Sequence, residues 1–221
     1  MSKLENYLFQ IENAKVIDNS IPYSKYVALD LAASNTKLSE IDMENAFIFE
    51  DFIEKYLLEN DAKVAFGGYN EVRSLYNKNS HFNAENRNIH LGIDFWIKAG
   101  TPVLAALDGI VHSFEFNAGL GNYGPTIILE HIFENQKFHT LYGHLAEESI
   151  ENIEIGTLFK KGQRLAILGD SSVNGGYAPH LHFQIIKNIE DKFGDYAGVC
   201  STKNLDYYLE NCPDPNLLLK I

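Results

Sequence analysis

From residue 89 onward the sequence reads as short apolar runs cut by glycine and turn residues, with no helical pattern between them. That texture constrains the fold more than any other feature. Evenly spaced short strands close into an antiparallel sheet or sandwich. The expected strands cover residues 89–96, 102–106, 109–116, 126–133, 137–144, 164–168 and 180–186. Turn signals separate them: Asp108-Gly109, the NAGLGNYG segment, Lys161-Gly162 and GDSSVNGGYAP. Gly124-Pro125 places a proline where only a strand start or edge accepts one.

Residues 1–80 have a different texture. Phe49, Phe52, Ile53, Tyr56 and Leu57 recur at helical spacing, with Ser39 as the expected cap and Asp42 three residues on. This region contains no cluster of ligands or nucleophiles, so it reads as a mixed packing layer or lid with at least one helix. The polar, asparagine-rich stretch 75–88 reads as a loop. Lying just before His90, it is placed to offer an extra metal ligand. Residues 191–221 read as a C-terminal tail packing on the preceding domain.

The strand reading gives the histidines meaning. Side chains alternate faces along a strand, so His90, Gly92 and Asp94 share one face. Gly92 leaves the space between an imidazole and a carboxylate open. Ile89, Leu91, Ile93 and Phe95 point into the core. The same period puts His180 and His182 on one face, opposite Leu181 and Phe183. Two adjacent imidazoles disfavour each other's charge and are unusual as core residues. His144 closes another strand pattern. His81, His112, His131 and His139 read as locally satisfied side chains.

Catalytic zinc takes three protein ligands and keeps a fourth position for water. His90, Asp94 and one histidine of the HLH pair supply such a set. The other HLH histidine and His144 remain for proton transfer, a task suited to imidazole at neutral pH. No HExxH motif is present.

The segments RNIHLGIDFWIKAGTPVLAALDGIV, GLGNYGPTIILEH, TLYGHL, KKGQRLAILGDSS and APHLHFQI resemble the lysostaphin-type, LytM-like zinc metallopeptidases. The ordered set HxxxD, YGHL and HLH is far more specific than any one part. The resemblance covers about residues 87–187, within an expected metallopeptidase domain at 81–190. It implies a mainly β fold with a helical N-terminal region, whose twisted antiparallel sheet forms a groove for metal and peptide. It implies one Zn2+ per chain on His90, Asp94 and His182, with His144 and His180 as catalytic histidines. It also implies a peptide or muropeptide substrate, cleaved in peptidoglycan crosslinks or stem peptides.

The bulk charge points elsewhere. The chain has 221 residues and a net charge of -12. That balance argues against nucleic acid, anionic membranes and anionic wall polymers as main partners. It favours an alternative, a cytoplasmic zinc amidohydrolase of a non-wall substrate; a non-catalytic regulatory LytM-like module is the least favoured reading, because all five site residues are present. No stretch has the length of a membrane span. With Met1 as the true start, no signal peptide is visible and the cytoplasm is expected; a removed leader would mean the cell envelope. Cys200 and Cys212 form no C-x-x-C pair and read as structural thiols. The sequence sets no oligomeric state.

Overall fold

The computed structural model describes residues 1–38, 40–73 and 87–221. Two helices mark the N-terminal region: α1 (Lys3–Gln10) and α2 (Ala46–Glu59). Thirteen strands run through the described residues. They are β1 (Tyr26–Ala28), β2 (Val64–Gly67), β3 (Glu71–Val72), β4 (Ile89–His90), β5 (Ile93–Trp96), β6 (Pro102–Leu104) and β7 (Gly109–Asn117). Then come β8 (Gly124–Phe133), β9 (Gln136–Gly143), β10 (Leu158–Phe159), β11 (Arg164–Ile167), β12 (His180–Ile186) and β13 (Val199–Cys200).

Eight strands form the main sheet in the order β1-β2-β5-β12-β9-β8-β7-β10. Its pairings are antiparallel except for β1 on β2. The expected mainly β, antiparallel fold is therefore present, with one parallel pair that period and turn signals did not reveal. The N-terminal strands extend the same sheet from the β5 edge. Two small sheets flank it, β11-β6 and β13-β4-β3.

Strand alternation divides the sheet into two unlike faces. Leu181, Phe183 and Ile185 of β12 join Tyr142, Ile127 and Leu129 in the largest core cluster. Burial of such side chains stabilises by about 1.5–3 kcal/mol each. Leu8 of α1 and Leu218 and Leu219 near the C-terminus enter this same cluster, so the two chain ends meet beneath the sheet. The other face carries His182 and Gln184. Beyond them Ile128, Leu141 and Ile186 are covered by Tyr196 and Cys212. Pro125 sits at the start of β8, as its missing N–H requires.

Helix α2 packs Phe49 and Ile53 against Ala65 and Trp96, over the strand that carries Asp94. Its cap differs from the expected one. Asn45 is the N-cap, and its side chain accepts from the N–H groups of Phe47 and Ile48. Ser39 lies outside the described residues. Asp42 instead turns the chain by accepting from the Glu44 N–H. The expected strand 89–96 is broken at Leu91-Gly92 into β4 and β5, because β4 leaves the main sheet to pair with β3 and β13. Replacing Asn45 with Ala should lower stability by about 1 kcal/mol in urea unfolding, the usual cost of losing a helix cap.

His131 behaves as a core residue. Its Nδ1–H donates to the Asp108 carbonyl, and Nε2 lies 2.8 Å from the Thr140 hydroxyl. Burial pushes its pKa from 6.5 down to about 4. The folded state therefore binds fewer protons than the unfolded chain between those values. Stability should be full above pH 6.5 and fall as pH drops toward 4. Urea midpoints measured across that window, with a chelator present, check the sign.

Candidate metal centre

Register builds the site. His182 on β12 stands opposite Asp94 on β5 and opposite Gly143 on β9. His90 arrives from β4, just before the break. Gly92 lies under the His182 ring: a Cβ there would stand 2.7 Å from His182 Cε1 and from the Phe183 carbonyl oxygen. The open space expected at this glycine is thus filled by the third ligand candidate.

The three side chains are buried, and their nearest polar atoms form a tight triangle. His90 Nε2 lies 2.9 Å from His182 Nδ1. Asp94 Oδ1 lies 3.1 Å from His182 Nδ1 and 3.2 Å from His90 Nε2. Outer partners decide what these atoms are. His90 Nδ1 is 2.9 Å from the Gly68 carbonyl, which only accepts, so Nδ1 carries the proton and Nε2 the lone pair. Gln184 Nε2 donates to the Ala197 carbonyl and to Cys212 Sγ. That fixes its amide and turns Oε1 toward His182 Nε2, at 2.9 Å. His182 therefore holds its proton on Nε2 and its lone pair on Nδ1. Tyr123 Oη is a second neighbour of that N–H, at 3.4 Å.

Two imidazole lone pairs and a carboxylate oxygen then face one another with no proton among them. Such a set repels itself and suits a cation. Tetrahedral zinc with Zn–N near 2.0–2.1 Å would hold its ligand atoms about 3.3 Å apart. The observed triangle is close to that size, so His90, Asp94 and His182 fit zinc. Among the described residues they form one of two groups able to hold a metal ion.

Electrostatics agree. Burial opposes the Asp94 carboxylate, but the Arg73 guanidinium beside it overcomes this and holds its pKa well below the usual value. Burial, aided by the Arg73 charge, pushes His90 down to about 4, which keeps it a neutral donor. Arg73 was not foreseen. It is 2% exposed and donates from Nη1 to Asp94 Oδ2 at 2.5 Å and from Nε to Glu71 Oε2 at 2.6 Å. It leaves Asp94 Oδ1 facing the histidines, so it acts as a positioning residue.

His144 and His180 lie beside this triangle, their ring centroids 4.1 Å apart. His144 follows β9 directly and takes a left-handed φ of 64°. Its N–H donates to the Tyr123 carbonyl and its own carbonyl accepts from Gly169, which holds that backbone. Its Nδ1–H donates to the Asn174 carbonyl, and that of His180 to the Ala178 carbonyl, both at 2.8 Å. Each ring keeps its lone pair on Nε2. Burial lowers both pKa values, that of His144 strongly, with neighbouring imidazoles adding to the effect. His180 also stacks on Trp96.

These residues line a cleft of about 270 Å³, walled by Tyr123 and Tyr177 on one side and by Tyr196 and Tyr208 from the C-terminal segment. All five site residues expected from the sequence meet here. Gln184 had a signal, since it continues the alternation of His180 and His182. Arg73 and Glu71 had none, because local spacing does not connect them to Asp94. The stretch 75–88 expected as a loop, and its possible extra ligand, lies almost wholly outside the described residues, as does His81. Cys200 and Cys212 are free and buried.

A mainly β domain holding two imidazoles, one carboxylate and a spare histidine pair has the donor set of a mononuclear metallohydrolase. Residues 88–192 match the model of peptidase family M23. The segment is 38% identical over 105 residues to lysostaphin of Staphylococcus staphylolyticus, covering 47% of this chain and 20% of that protein. It is 32% identical over 99 residues to the peptidoglycan DD-endopeptidase ShyC of Vibrio cholerae, covering 45% and 20%. An uncharacterized metalloprotease of Haemophilus influenzae is 35% identical over 95 residues, covering 43% and 18%. The catalytic domain of lysostaphin from Staphylococcus simulans superposes with a TM-score of 0.41 at 27% identity, covering 67% of this chain and 93% of that one. The chain thus spans about a fifth of the length of these curated relatives.

Replacing Gln184 with Leu should free His182 to change tautomer. Zinc affinity, read by isothermal titration, should fall about 10–100-fold, as for other outer partners of metal ligands.

Proposed function

We propose that this chain is a zinc metalloendopeptidase that hydrolyses peptide bonds in peptidoglycan crosslinks or stem peptides. The observation that carries this reading is the triangle of lone pairs on His90, Asp94 and His182, fixed from outside by Gly68 and Gln184. Relatives named lysostaphin and peptidoglycan DD-endopeptidase support the substrate class. Zinc bound there would supply Lewis acidity, polarising the scissile carbonyl and lowering the pKa of water to about 7.

The chain's own residues do the rest. His144 and His180 offer unprotonated Nε2 atoms, and their depressed pKa values keep them so at neutral pH. One accepts the proton of the attacking water and delivers it to the leaving amine. The other, its ring centroid 4.1 Å away, shares the proton taken from that water, so a positive charge stands beside the oxygen anion as it develops. Arg73 holds Asp94 so that Oδ1 alone faces the histidines. The aromatic walls of the cleft flank an extended peptide and limit water around it.

The net charge of -12 favours a second reading, a cytoplasmic zinc amidohydrolase of a non-wall substrate. Among the described residues no helix is long and apolar enough to cross a membrane.

Zinc-loaded protein incubated with muropeptides and followed by mass spectrometry should show one cleaved peptide bond. His144→Ala should keep its zinc while turnover falls about 10²–10⁴-fold. Protein inert on every muropeptide yet active on another amide would favour the second reading. Full activity without metal would overturn both.

A further inference from the structure

The far end of the groove face carries a second convergence of metal-binding side chains. Glu130 on β8 stands opposite His139 on β9. On β7 the pairing with β8 shifts between Val111 and Ser113, and the displaced residue is His112. Such a bulge re-aims a side chain. Each of the three offers a ligand atom, and those atoms lie within 4.8 Å of one another. The His112 and His139 rings meet edge to face at 4.9 Å.

His139 supplies the independent observation. It is 4% exposed, and its Nδ1 is buried with no hydrogen-bond partner. Its Nε2 lies 3.8 Å from Glu130 Oε2, beyond hydrogen-bond range. Buried polar atoms are otherwise almost always paired, so an imidazole held this way beside a carboxylate calls for a reason. The neighbouring His131 shows the contrast, with both ring nitrogens satisfied. His112 is anchored by Ser113 Oγ at 2.8 Å, and Ser113 Oγ accepts from the Gly194 N–H. Lys137 pairs with Glu130 Oε2 at 2.9 Å, but its side chain is 65% exposed and free to swing outward.

We propose that His112, Glu130 and His139 form a second site for one divalent cation of the zinc class. Two imidazoles and one carboxylate are a recurrent zinc donor set, and imidazole selects borderline metals over calcium or magnesium. The three ligands come from three adjacent strands, so the ion would tie β7, β8 and β9 together. A surface cavity of about 650 Å³, lined also by Lys3, Phe133 and Lys187, leaves access for a fourth ligand such as water. The site is separate from the first. His139 lies four residues before Gly143, which faces His182, a distance of about 13 Å along a strand. Leu141 and Ile186 fill the interval under the cover of Ile189 and Cys212.

The test removes the first site and asks what zinc remains. The full chain carrying His90→Ala and Asp94→Ala is dialysed to equilibrium with zinc. Metal content is read by mass spectrometry and folding by circular dichroism. About one zinc per chain is expected, with a rise in Tm on zinc addition. Adding His112→Ala or Glu130→Gln should abolish both. A folded double variant that holds no zinc, or zinc that persists in both triple variants, overturns the proposal. A second measurement needs no change at the first site. Wild type loaded the same way should hold about two zinc ions and His112→Ala about one. Equal content in the two proteins overturns it. Either failure leaves the peptidase reading untouched, because His112, Glu130 and His139 take no part in it.

Discussion

The site depends on a repulsion that only a cation resolves. His90 Nε2, His182 Nδ1 and Asp94 Oδ1 are held within 3.2 Å of one another, and each presents a lone pair. What makes them lone pairs lies outside the triangle. The Gly68 carbonyl takes the proton side of His90, and the Gln184 amide takes that of His182. Arg73 neutralises the far oxygen of Asp94. Without those partners the imidazoles could change tautomer or protonate, and the donor set would lose its preference for metal.

This explains why segments outside residues 88–192 bear on the chemistry. Gly68, Glu71 and Arg73 precede the family-matched segment, while Cys212 follows it. Cys212 Sγ accepts from Gln184, which orients His182, so a thiol in the C-terminal segment reaches the metal centre through two hydrogen bonds. Burial pushes that thiol up to about 12, so it stays protonated and inert. The N-terminal strands reach the same centre by extending the sheet from β5, and α2 covers the Trp96 on which His180 stacks.

Much of this was legible in the residues. Period-two alternation put His180 and His182 on one face and Leu181 and Phe183 on the other, where both enter the core. The open space at Gly92 was legible too, although its occupant, the His182 ring, was not. Helix α2 was marked by its apolar spacing, but its cap was misplaced. Several polar residues precede the helix, and only the backbone geometry selects Asn45. The parallel β1-β2 pair and the Arg73–Asp94 ion pair left no local trace, because both depend on contacts between distant parts of the chain. His112 and His139 read as ordinary histidines for the same reason: a bulge and a cross-strand register bring them together, and neither is written in spacing.

The chemistry proposed for this chain stands on the identity and tautomer of the ligand atoms. The most direct measurement is a crystal structure of the zinc-soaked chain with anomalous diffraction at the zinc edge. The expected result is an ion bound by His90 Nε2, His182 Nδ1 and one oxygen of Asp94, with the Arg73–Asp94 and Gln184–His182 contacts retained. An ion held instead by His144 and His180, or a triangle that stays closed at saturating zinc, would contradict it.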